Sequence, residues 1–138
     1  MKLRLAIAAA SALAFAIPST ASAQDAGQAI ISIYHAAPGH QVELLKWLAQ
    51  QDRIAEAVGQ PRSQIYVHTD GDSWDYLMIA PVTTTAQDDA FDAAATKMGV
   101  PAGPRAGIEL RKHIQSHTDT FVRGPVSAAQ ILAALGEK

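Results

Sequence analysis

The stretch Gln64–Ile79 reads QIYVHTDGDSWDYLMI. Two short runs rich in aromatic and β-branched residues flank a segment of Asp, Gly and Ser, and this pattern predicts two strands joined by a turn. Alternation sorts each strand between two faces. Ile65 and Val67, with Leu77 and Ile79, give one aliphatic side. Tyr66, His68, Trp74, Tyr76 and Met78 give an aromatic one. An antiparallel sheet packed on one side usually shows polar residues on the other. Here neither side is polar, so both demand cover.

Working outward, Ala29–His35 (AIISIYH) is a β-rich run, and Ala36-Ala37-Pro38-Gly39 interrupts it. The following QVELLKWLAQQDRIAEAVG sets Leu44, Trp47, Leu48, Ile54, Ala55 and Val58 near helical spacing. Gly59 stands where a C-terminal cap belongs, and Pro61 follows. Downstream, Pro81 ends the third strand. Thr83-Thr84-Thr85 offers caps to a second helix, Ala86–Met98, with Phe91, Ala94, Ala95 and Met98 on one stripe. Gly99 and Pro101 stop it. From Pro104 the spacing allows a third helix to about His117. Asp119–Arg123 (DTFVR) then reads as a short fourth strand or as more helix. After Gly124-Pro125, Ser127 can cap a last short helix, Ala128–Leu135.

The order β-α-β-β-α predicts an α+β fold: a ferredoxin-like antiparallel sheet with helices on one face and an extra helical C-terminal tail. Strand three should lie between strands one and two. Ile31, Ile33, Ile65, Val67, Leu77 and Ile79 are expected to meet the helices. Ser32, Tyr34, Tyr66, His68, Trp74, Tyr76 and Met78 are then expected on the open face. Aromatics each bury about 150–250 Å² when covered, so together they exceed the exposed apolar area a monomer tolerates. A second copy of the chain, a ligand or the tail must cover them. Tyr34, Tyr66, Trp74, Tyr76 and Met78 are the candidate ligand-binding residues.

The first 23 residues have a different character. Lys2 and Arg4 precede an apolar run, Leu5–Ile17, and Ala21-Ser22-Ala23 closes the segment. This is the pattern of a secretory signal peptide cut before Gln24, with an apolar run too short for the roughly 20 residues of a spanning helix. The expected product is a single α+β domain, 24–138, in the periplasm or outside the cell and without a membrane anchor. The chain has no cysteine, which excludes disulfides and thiolate metal sites. Acidic residues outnumber basic ones, 13 to 11, and removal of Lys2 and Arg4 widens the gap. No clustered basic face points to nucleic acid.

The stretch AIISIYHAAPGHQVELLKWLAQ resembles the opening of the dimeric α+β barrel superfamily, which includes antibiotic-biosynthesis-type monooxygenases. The residues that carry the resemblance are Ile31–Tyr34, Pro38-Gly39, Glu43 and Leu44-Trp47-Leu48, and it extends over about Ala29–Met98. It implies sheet-to-sheet homodimers and a ligand cleft between sheet and helices. A signal peptide is unusual for that group, and the tail after Gly99 is longer than one closing strand requires.

Three groups of residues carry possible chemistry. His35 at the end of strand one and Asp75 at the start of strand three should be neighbours, and a carboxylate beside an imidazole suits a general acid or base. An ion pair closing the sheet edge is the plainer reading. His68 is a further proton-transfer candidate near Trp74. His113 and His117, four apart, would share one side of a helix and so offer two ligands to a metal or haem, although no HExxH is present. A hydrogen-bonded role beside Leu110 and Ile114 is more ordinary, and no cofactor is expected. The reading is therefore an exported homodimer that binds a small hydrophobic or aromatic ligand. The alternatives are a cofactor-independent monooxygenase-like enzyme and an interaction module using the open sheet.

Overall fold

The computed structural model describes residues 27–137. The segment read as a signal peptide lies outside them. The elements are β1 (Gly27–Ala36), α1 (Gln41–Ala57), β2 (Gln64–Val67), β3 (Tyr76–Pro81), α2 (Thr85–Lys97), α3 (Pro104–Leu110), β4 (Ile114–Gly124) and α4 (Ala128–Ala134). The four strands form one antiparallel sheet in the order β2-β3-β1-β4, which is the ferredoxin-like order expected from the sequence. The fold class is α+β.

Local chemistry sets the joints. His40 N–H closes a turn on the Ala37 carbonyl at 2.8 Å, with Pro38 fixing one φ and Gly39 at φ 79° supplying the left-handed position. At the end of α1, Gln60 N–H reaches the Ala55 carbonyl at 2.8 Å and Gly59 N–H reaches that of Glu56 at 3.1 Å. This crossed pair needs the positive φ of Gly59, 71°. Thr84 caps α2 reciprocally with Gln87, so both orphan amides are satisfied.

Two expectations about the C-terminal half are corrected. α3 ends at Leu110 and does not run to His117. The segment from Ile114 is strand throughout, ten residues of β1 pairing with it from Gly27↔Gly124 to Ala36↔Ile114. β1 otherwise presents an unpaired row of N–H and C=O groups. Thr118, Thr120, Phe121 and Val122 suit a strand.

The main correction concerns which side of the sheet meets the helices. Tyr34, Ala36 and Tyr76 are buried in one cluster with Leu44 and Leu48 of α1 and Leu110 of α3; Ile65 and Met78 pack against it. Ser32 is buried on the same side. The register explains the exchange. Ile65 pairs with Met78 and Val67 with Tyr76, so the β2 aliphatics share a face with β3 residues assigned to the other side. Ile31 pairs with Ile79 and Ile33 with Leu77. These four lie half-buried on the face without helices, where Tyr66 is 51% exposed. Tyrosine tolerates the interior because its hydroxyl finds partners: Tyr76 donates to the Gln41 carbonyl at 3.3 Å. A second cluster, Ile54, Ala95 and Val100, joins α1 to α2. α4 buries no residue.

Candidate ligand cleft

Helices α1 and α2 do not seal the sheet completely. Between them and the strands is a cleft of about 280 Å³. Ile30, Tyr34 and Met78 form its floor; Trp47, Leu48 and Gln51 of α1 and Phe91 of α2 form its walls. Helical spacing brings Trp47, Leu48 and Gln51 to one side of α1. Apolar side chains make most of the wall, and Asp52, Gln60, Ser63, Thr83 and Asp88 line it as well. Gln51 Nε2 is buried and has no hydrogen-bond partner among the described residues. A buried amide donor left unmatched costs about 1–3 kcal/mol, so this atom is a polar anchor for a ligand.

A polar group lies next to the floor. Ser32 Oγ donates to Asp119 Oδ1 at 2.7 Å across the β1–β4 pair. His117 Nε2 stands 3.4 Å from Asp119 Oδ2. The His117 ring stacks on Tyr34, with centroids 5.8 Å apart and planes 15° from parallel. Burial pushes the Tyr34 hydroxyl above its ordinary value, the nearby Asp119 charge pushes the same way, and hydrogen bonding with Ser32 opposes them. Tyr34 is thus both a wall of the cleft and the inner end of a Tyr-His-Asp-Ser set.

The residues singled out from the sequence fall in separate places. Tyr34 and Met78 line the cleft. Tyr76 is in the core beneath it. Tyr66 is on the opposite face, where it borders a groove of about 790 Å³ with Ile31, Ile79 and Val122. Trp74 packs against His68 in an edge-on arrangement, centroids 5.0 Å apart. The five therefore do not form one surface. His35 alternates with Ile31 and Ile33 onto the open face, not the helix side. Asp75 uses its carboxylate to accept the Ala36 N–H at 2.7 Å, and no hydrogen bond joins it to His35 among the described residues.

His113 and His117 do not share one side of a helix: His113 precedes β4 and His117 lies within it. His113 sits in the turn beside Glu109, at 3.8 Å, and His40, with ring centroids 5.9 Å apart. His117 belongs to Asp119 and Tyr34. Among the described residues no three His, Asp or Glu side chains are placed to hold a metal ion. Sequence reasoning missed Gln51, Ser32 and Asp119. The last two meet only through the β1–β4 register, and Gln51 gives no signal before the cleft is known.

No protein-family model and no curated protein matches the sequence significantly. Among solved structures, the chain is similar to a protein of unknown function from Bacteroides fragilis described as dimeric and ferredoxin-like, at 11% identity and TM-score 0.45, covering 70% of this chain and 95% of that one. It is similar to a protein of Pseudomonas aeruginosa at 14% identity and TM-score 0.47, covering 74% and 97%. It is also similar to a NIPSNAP domain protein of Burkholderia xenovorans at 11% identity and TM-score 0.43, covering 73% and 96%. Identities this low say nothing about chemistry, and the fold assignment rests on the strand order above. No helix among the described residues is long and apolar enough to cross a membrane.

Proposed function

We propose that the chain is exported by its N-terminal segment and acts as a homodimer that binds a small, mainly apolar ligand in the cleft between sheet and helices. The observation that carries the binding reading is Gln51 Nε2, a buried donor unmatched among the described residues, beside Trp47, Leu48 and Phe91 in the cleft wall. It selects a hydrophobic or aromatic molecule with one acceptor oxygen. Pairing is supported by the open face, where the register sets Ile31 beside Ile79 and Ile33 beside Leu77, with Tyr66 51% exposed next to Leu77.

Acetophenone and ethylbenzene test the ligand class, because they differ mainly in a carbonyl. Trp47 fluorescence and thermal shift should report binding of both. Acetophenone should bind about tenfold tighter, the worth of one net hydrogen bond, and Gln51→Leu should erase the difference. Failure of either compound, and of larger aromatic ketones, to bind would remove the reading.

A second reading is an enzyme in which His117 moves a proton. Its support is the Tyr34–His117 stack, which connects the cleft to the Asp119 carboxylate. The expected outcome is turnover lost in His117→Gln with ligand affinity retained. If parent and His117→Gln both bind and neither turns over aromatic substrates with oxygen supplied, binding alone is the function.

A further inference from the structure

α4 has the ends of a well-formed helix and none of the packing. Ser127 accepts the Gln130 N–H while the Gln130 side chain returns to the Ser127 N–H. Yet Ile131, Leu132 and Leu135 are 50%, 47% and 72% exposed. α4 has seven residues, well below the roughly 12–15 at which an isolated helix becomes even marginal. A helix this short depends on burial of its apolar stripe.

The same chain carries a surface with the matching deficit. The groove on the open face runs over Tyr66, Ile79 and Val122, and Pro125 and Val126 line its end. The chain thus leaves β4 beside this groove, but no residue of α4 enters it. Only Pro125, Val126 and Ser127 separate strand from helix, and this short link carries α4 clear of its own sheet.

We propose that α4 docks on the open sheet face of a second copy of this chain. The proposal rests on the homodimer of the preceding section and names the segment that crosses. Two arguments select a second copy as the occupant. The first is area. The strands hold 10, 4, 6 and 11 residues, and at about 3.3 Å per residue and 4.8 Å between strands the sheet projects roughly 500 Å². A standard interface takes about 800 Å² from each partner. Two exchanged helices supply the difference, and a two-fold axis buries both stripes and both grooves together. The second is charge. Ala128–Ala134 contains no charged residue, so the exchanged helix brings no like charge against Arg62 and Arg123, which line the groove.

The absence of cysteine makes thiol cross-linking a clean test. Chains carrying Leu132→Cys are mixed with chains carrying Ile79→Cys and treated with a short bismaleimide. The expected result is a mixed cross-linked dimer in higher yield than either homodimer. In sedimentation, Leu135→Glu should weaken the dimer at least tenfold, while the melting temperature at high dilution stays unchanged because Leu135 is exposed in the single chain. Cross-linking of Leu132→Cys/Ile79→Cys within one chain, absence of the mixed dimer, or a Leu135→Glu dimer as tight as the parent would overturn α4 exchange and leave sheet pairing standing. A parent chain that stays monomeric at every concentration would overturn both.

Discussion

The Asp75 carboxylate accepts the Ala36 N–H at 2.7 Å, at the point where the β1–β4 register shifts between His35 and Ala36. A bulge leaves a backbone donor off the ladder. Asp75 meets that need, and its own N–H donates to the Tyr34 carbonyl at 2.9 Å. The residue thus pins the start of β3 to the end of β1. Asp75→Ala should destabilise the fold by about 1–3 kcal/mol, the cost of an orphaned buried donor. Urea unfolding measures this. Asp75→Asn keeps an acceptor oxygen and should lose less; equal losses would show that the hydrogen bond is not the cause.

Adjacent leucines on α1 face opposite fates. Leu44 is fully buried and Leu45 is 37% exposed. Leu44→Ala should cost about 2–5 kcal/mol, and Leu45→Ala less than about 1 kcal/mol. Reversal of that order in denaturant midpoints would mean that α1 presents another side to the sheet.

Burial raises the hydroxyl of Tyr34 and also that of Tyr76 above the ordinary 10.0, with the Asp75 charge adding to the effect at Tyr76. A group whose folded value is raised lends stability that is complete below its unfolded value and is lost as pH climbs through the folded one. Stability should therefore fall as pH rises above about 10. Tyr34→Phe should fall less over the same interval. Ultraviolet titration should find Tyr34 and Tyr76 ionising late. A pH profile for Tyr34→Phe that parallels the parent would refute the role given to this hydroxyl.

Ser32 and Asp119 tie the edge strand to the centre. Ser32→Ala removes one hydrogen bond to a half-exposed carboxylate, so a loss of about 1 kcal/mol is expected. The loss should nearly vanish in an Asp119→Ala background if the two act as one unit. Independent, additive losses in a double-mutant cycle would separate them.

The helices and joints were legible because they depend on neighbours in the chain. Leu44 and Leu48 at helical spacing, Thr84 before α2, Ser127 before α4 and the left-handed Gly59 need no tertiary partner to be read. β4 was half legible: Asp119–Arg123 stood out, but Ile114–Thr118 did not, because His113 and His117 suggested a helical pair until β1 supplied a partner strand.

Alternation along Gln64–Ile79 determined that the sheet has two apolar sides and that a small chain must cover both. It did not determine which side meets the helices, since period two looks the same from either face. Tertiary packing decided that. Tyr34 and Tyr76 go inward, where they cluster with Leu44 and Leu48 and the Tyr76 hydroxyl reaches the Gln41 carbonyl. Ile31 and Ile33 of β1, which need no such partner, are left on the outside. The cleft, the unmatched Gln51 amide and the Ser32–Asp119 bond follow from that choice, because each joins residues from different elements whose contact no local pattern encodes.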